Sequence, residues 1–195
     1  MTLSKSTARA IALPMILVML GSIVFYAAKT DPHVRPMAPI IHAAAADQPM
    51  YQTKQFAASL DVARVFGRSQ GCADADPKLI NDIAAEAIAS NTDPRILAAL
   101  VAVESSCDPM AVSNRGAIGL TQVRAKVWKD KFDFAGKTNL LNPADNLHAG
   151  ATILGSLIKQ YGTLEGVRRY QGDGVGCATC DDFYVPKILA LAGRR

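Results

Sequence analysis

Glu104 is the residue whose type and setting could do chemistry. It lies in the stretch LAALVAVESSCDPMAVSNRGAIGLTQ, residues 97–122, at a position where the pattern otherwise calls for something apolar. Asp93 followed by Pro94 predicts a helix start, with an N-cap side chain and then a proline at the first helical position, where its missing N–H does no harm. From there Ile96, Leu97, Leu100, Val101 and Glu104 recur at three- and four-residue spacings and share one face. Glu104 is therefore expected to point inward with the leucines. Burial disfavours a charged carboxylate, and so does the negative end of the helix dipole, so both should raise its pKa. A carboxyl group still protonated near neutral pH is a usable general acid. The competing reading is a satisfied structural glutamate, because ordinary polar networks also perturb pKa values.

The residues that follow must position that group. Asp108-Pro109 stops the helix, since proline forces the residue before it out of the helical region. A polar loop with Ser113, Asn114, Gly116 and Gly119 comes next, and Leu120, Val123 and Val127 are expected to restart a helical period. The loop would then return the chain across the end of the Glu104 helix. Asp108 reads as a capping or turn residue, and Asp173, flanked by glycines, receives no role. Only one carboxylate is well placed, so chemistry that needs a pair of them lacks its second member.

Four groups of residues in order resemble the lytic transglycosylases of the soluble type, whose fold is that of goose-type lysozyme. They are Glu104-Ser105, the run from Gly116 to Gln122 (GAIGLTQ), Asn142-Pro143-Ala144-Asp145-Asn146-Leu147 with Gly150 and Leu154, and Arg169-Tyr170-Gln171-Gly172. The resemblance covers roughly residues 72–191. It implies a lysozyme-like, all-α domain that cleaves the β-1,4 bond between N-acetylmuramic acid and N-acetylglucosamine in peptidoglycan, leaving a 1,6-anhydromuramyl end. Neither cofactor nor metal is implied. Glu104 would act as acid and then as base, while the substrate's own N-acetyl group stands in for the second carboxylate. Ser105 would orient the acid or the N-acetyl group, Gln122 would bond the glycan, Tyr170 would line the cleft, and Ser113 and Gln171 would join the substrate-binding set. Thr121 stands where the family often has methionine, and Gln171 where it often has asparagine. A lysozyme-type hydrolase on the same fold and a non-catalytic peptidoglycan-binding scaffold remain alternatives.

The rest of the chain supplies support and address. With 195 residues, half of them apolar, the chain suits one domain with an appendage. The appendage is residues 11–28, an uncharged apolar run of 18 residues bounded by Arg9 and Lys29, just long enough to span a bilayer. Lys5 and Arg9 before it bias the N-terminus slightly toward the cytoplasm. An uncleaved anchor of the inner membrane (residues 1–29) is preferred. A signal peptide is the rival, but the small-residue site at Ala44-Ala45-Ala46 lies far from the start. Residues 30–71 read as a tether, with Phe56, Leu60 and Ala63 marking a short amphipathic helix, and residues 72–195 as the domain. Without residues 1–28 the net charge falls from +4 to +2, and no basic cluster with interleaved aromatics appears, so nucleic acid is not an expected partner. A small domain on a tether is also, by analogy, the form of family members that open the wall for a secretion, conjugation or pilus complex.

Asp76-Pro77 predicts a helix to about Asn91, and the short link to Pro94 makes an antiparallel hairpin that brings Cys72 near Cys107. Four cysteines allow three pairings, and sequence alone does not choose among them. The expected pairs are Cys72 with Cys107 and Cys177 with Cys180, the first stabilising the base of the acid's helix by about 3 to 4 kcal/mol. A zinc site from Cys177 and Cys180 with Cys107 or His148 competes weakly, because the usual two-pair ligand spacing is absent. Later helices are expected from Asn142 to Tyr161, from a Thr163 cap to Gln171, and over Ile188, Leu189 and Leu191. The domain's Trp128, Tyr161, Tyr170 and Tyr184 are mostly core candidates, of which a sugar cleft would need one or two.

Overall fold

The computed structural model describes residues 48–129, 139–172, 177 and 180–194, all within one compact unit, His42–Arg195. The apolar run 11–28 and Asp173 lie outside the described residues, and among the described residues no helix is long and apolar enough to cross a membrane. Seven α-helices are described: α1 Gln48–Phe66, α2 Pro77–Ala89, α3 Pro94–Ser105, α4 Ala125–Trp128, α5 Pro143–Tyr161, α6 Thr163–Gln171 and α7 Tyr184–Leu191. Two isolated antiparallel bridges, Val112 with Ile118 and Ile118 with Val123, are the extended pairings among the described residues. The all-α expectation holds there.

Capping chemistry sets the helix starts. The Asp76 carboxylate accepts from the Lys78 amide, that of Asp93 from the Arg95 amide, and the Asn142 side chain from the amides of Ala144 and Asp145; each is followed by proline. Thr163 does not cap α6 as expected. Gly162, at φ 79°, takes the cap position without a side-chain bond, and Thr163 is the first helical residue. Pro186 falls in the first turn of α7, where it costs no hydrogen bond.

Helix α3 is the centre of the fold. The sequence pattern suggested one apolar stripe, but Ile96 to Ala102 are all buried without a break, because α1, α2 and α7 pack around them. A helix apolar all round is a core helix. Helix α1 corrects two expectations. It runs 19 residues, much longer than the short element expected in a tether, and it buries Ala58, Val62, Val65 and Phe66 while Phe56, Leu60 and Ala63 face solvent. Its packing on α2 and α3 extends the globular unit well before residue 72. On the far side α5 and α6 pair closely, and α5 also meets α2. The expected disulfides are present, Cys72–Cys107 and Cys177–Cys180, with no free cysteine.

Candidate active site

The end of α3 is built to be held. Ser106 and Cys107 follow it with φ of 53° and 66°, the left-handed region that non-glycine residues avoid. Such strain costs roughly 1 kcal/mol or more per residue and persists only where the surroundings fix it. The Cys72–Cys107 bond supplies that fixation, three residues beyond Glu104. Asp108 serves the turn, as expected, its carboxylate accepting from the Met110 amide at 2.8 Å.

The loop facing the acid is anchored from behind by a buried polar knot. The Asn146 carbonyl oxygen accepts from the Thr121 amide at 2.9 Å and the Thr121 hydroxyl at 2.7 Å, and its amide nitrogen donates to the carbonyls of Ile118 and Leu140. Thr121 and Asn146 have no solvent exposure. The knot closes only because two glycines adjoin it. A Cβ at Gly119, whose φ is 73°, would overlap the Asn146 amide, and one at Gly150 would overlap the Thr121 side chain. The loop is thus bridged and tied, and the helical period expected from Leu120 begins only at Ala125. Gln122, at φ 50°, donates its side-chain amide to the carbonyls of Ala111 and Gly119, both at 3.0 Å, which holds it in that strained conformation.

Between this loop and α3 lies a cleft of about 190 Å³. Glu104 lines it with Ser113, Asn114 and Arg115 from the loop, Ala117, Gln122, Arg124 and Trp128 beyond it, and Tyr170 and Gln171 from α6. Glu104 is its one carboxyl group among the described residues. Burial is the main reason its pKa rises from the usual 4.5 to about 7, against the pull of a hydrogen bond from Tyr184 and the charge of Arg124. The Tyr184 hydroxyl donates to Glu104 Oε1. Burial, and then the nearby Glu104 charge, push the tyrosine pKa well up, so the phenol keeps its proton and remains a donor. Tyr170 is also buried; its hydroxyl donates to the Thr121 carbonyl at 2.8 Å and its ring stacks on Trp128 at 6.4 Å.

Of the residues singled out from sequence, Glu104, Ser113, Gln122, Tyr170 and Gln171 come together in this cleft. Ser105 does not line it: its hydroxyl is buried and donates to the Val101 carbonyl of its own helix at 3.1 Å. The Ser113 hydroxyl accepts from the Ala117 amide at 3.0 Å, so it shapes the loop and keeps its own proton available. Tyr184 is the partner that sequence reading did not pair with the acid; eighty residues separate the two. Arg115 and Arg124 also line the cleft, and no spacing in the polar loop marks them out. His148 pairs with Glu86 at 3.0 Å, away from the cysteines, and no cluster among the described residues could hold a metal ion. A larger groove of about 780 Å³, lined by Leu164, Val185, Leu189 and Arg68, lies elsewhere. The acid that lines it among the described residues, Asp181, is bound by Arg168 at 2.6 Å.

Residues 82–172 match the model of the transglycosylase SLT domain. A transglycosylase of Enterobacteria phage PRD1 is 36% identical over 74 residues, which is 38% of this chain and 26% of that protein. Endo-type membrane-bound lytic murein transglycosylase A from Citrobacter koseri and from Cronobacter sakazakii are 33% and 32% identical over 81 residues, 38% of this chain and 39% of each. The chain thus spans about a quarter to two fifths of the length of these relatives. Glu104, the tied loop and α6 fall inside the matched region, whereas α1 and Tyr184 fall outside it. The cleft's acid, loop and aromatic wall are all contained in the match, so the part of the chain that is similar to the transglycosylase SLT domain, residues 82–172, is the part that builds the site.

Proposed function

We propose that this chain is a peptidoglycan lytic transglycosylase that cuts between N-acetylmuramic acid and N-acetylglucosamine and leaves a 1,6-anhydromuramyl end. The carrying observation is a single half-buried carboxyl group, with a pKa near 7, lining a polar cleft that presents no second carboxylate among the described residues. Glu104, protonated, gives its proton to the glycosidic oxygen as the bond to the anomeric carbon breaks. The substrate's N-acetyl oxygen stabilises the positive charge that develops at that carbon. Glu104, now charged and held by the Tyr184 hydroxyl, then takes the proton of the sugar's 6-hydroxyl, whose oxygen closes the anhydro ring. The acid is restored and no water is consumed. Tyr184 stabilises the ionised intermediate state of Glu104, and burial stabilises the protonated one, so the group can cross between them near neutral pH.

The address is part of the same reading. The apolar run 11–28 anchors the chain in the inner membrane, and the domain works in the periplasm, where two disulfides persist. Local wall opening for a secretion or conjugation complex would suit a small domain so placed. The test is digestion of purified sacculi by the full-length chain and by Glu104→Gln, with mass analysis of the released fragments. Anhydro-muropeptides from the wild type alone are expected. Reducing ends that incorporate labelled water would assign a hydrolase, and fragments released equally by both proteins would remove Glu104 from the chemistry.

A further inference from the structure

Helix α1 is apolar on two opposite faces. Ala58, Val62 and Val65 lie on the side packed against α2 and α3. On the side turned away from them, Phe56, Ala57, Leu60 and Ala63 fall together by helical spacing and stay exposed, Phe56 to 66% and Leu60 to 42%. An aromatic and a leucine one turn apart on an outward face make physical sense when something apolar covers them.

Charge and size decide what that is. Residues 48–68 hold Lys54, Arg64 and Arg68 against the one acid Asp61, a net +2, and all three cations are exposed. Asp61 is bound by Arg64 at 2.9 Å, and Arg68 gives a long bond of 3.3 Å to the Leu191 carbonyl. A stable protein interface buries about 800 Å² on each partner, and two large side chains with two alanines fall well short of it, which disfavours a second copy of the chain. A bilayer asks for less when the chain is already held there. Nineteen residues, 29–47, separate the apolar run 11–28 from α1 and reach at most about 65 Å. A stripe too weak to hold a free protein is enough to dock a tethered one. No α1 residue lines the cleft, so such a contact leaves it open.

We infer that the outward face of α1 rests on an anionic lipid surface, with Phe56 and Leu60 in the headgroup boundary and Arg64 and Arg68 near the phosphates. The inference rests on the reading of residues 11–28 as an anchor and adds that the domain lies on the bilayer instead of hanging free of it. The cleft is then kept at a fixed height, and the glycan strands within its reach are those beside the membrane.

The experiment uses full-length protein in vesicles of mixed phosphatidylcholine and phosphatidylglycerol, with phosphatidylcholine alone as the uncharged comparison. Phe56→Trp adds one emission to that of Trp128, and Met110→Trp, at an exposed site on the loop after α3, is the reporter that lipid should not reach. With bromine on the acyl chains, the emission added at position 56 should be quenched and that added at position 110 should not. Phosphatidylcholine alone should weaken docking about fivefold for each basic residue, the equivalent of about 1 kcal/mol. Leu60→Glu, which charges the exposed stripe and leaves the core alone, should abolish the quenching. Alkaline extraction of the same vesicles reads the anchor separately. Protein that resists extraction while the two reporters stay unquenched, or are quenched alike, overturns the docking and leaves the anchor standing. Protein lost to extraction overturns the docking together with the address it rests on. A blue shift at position 56 without quenching by bromine shows the stripe covered by protein, a second copy included, and overturns lipid as its occupant.

Discussion

At the scale of the residue, Glu104 is defined by a conflict between burial, which raises its pKa, and two partners that lower it. The sign of the consequence follows. Its folded pKa, about 7, lies above the usual 4.5, so the folded state holds the proton more tightly. Stability from this group is full below about 4.5, is lost as pH rises toward 7, and stays lost above it, a fall of up to about 3 kcal/mol. Glu104→Gln should therefore lose cleavage by a factor of about 10² to 10⁴ and yet gain stability over the wild type at pH 8. Denaturant unfolding of both proteins at pH 5 and pH 8 checks this; a parallel pH dependence in the two would refute it. Tyr184→Phe removes a bond to the ionised form, so the alkaline limb of the pH–rate profile, set by Glu104, should move upward. A limb that stays put would leave the tyrosine without influence on the acid. The acid itself was legible from helical spacing, because spacing reports which side of a helix a residue occupies. Tyr184 was not, since a contact across eighty residues leaves no periodic trace.

At the scale of the element, the loop between α3 and α4 owes its shape to the knot of Thr121 and Asn146 on its hidden side. Gly150→Ala would press a methyl group into the Thr121 side chain and should cost about 1 to 3 kcal/mol, as overpacking does. Because Thr121 precedes Gln122, the substitution should also lower the rate of sacculus digestion. Thermal unfolding and a digestion assay, run together, measure both; an unshifted Tm would show that the contact yields freely. The sequence announced the helix starts clearly, since the pairs Asp76-Pro77, Asp93-Pro94 and Asn142-Pro143 state a cap and a first turn in two letters. Leu120 and Val123 misled because spacing alone cannot separate a helix face from a tight bridged loop whose apolar residues also point inward. The bonds of Thr121 to Asn146 join residues twenty-five apart and depend on a fold that only tertiary structure displays.

At the scale of the molecule, the acid's helix is wrapped by segments drawn from both ends of the unit, α1 before it and α7 after it. A fragment of residues 72–195 would expose the face of α3 that α1 covers, with Val62, Val65 and Phe66 gone. It should fail to fold cooperatively, whereas residues 48–195 should fold; far-UV circular dichroism with thermal melts of the two fragments decides the matter, and two equal melts would make α1 dispensable. Sequence reading placed α1 in a tether because its polar and apolar residues do not segregate cleanly; Phe56 and Leu60 are exposed while the small Ala58 is buried. The Cys72–Cys107 bond has one more consequence, in time. A newly made chain in a reducing compartment lacks the staple, and its left-handed turn after Ser105 is left with the amide bonds of Ser106 and Asp108 alone. The end of α3, and Glu104 with it, would then be less firmly placed. If the proposed activity holds, a thiol reductant should lower sacculus digestion and re-oxidation should restore it, so that the bond would act as a catch set only under oxidising conditions.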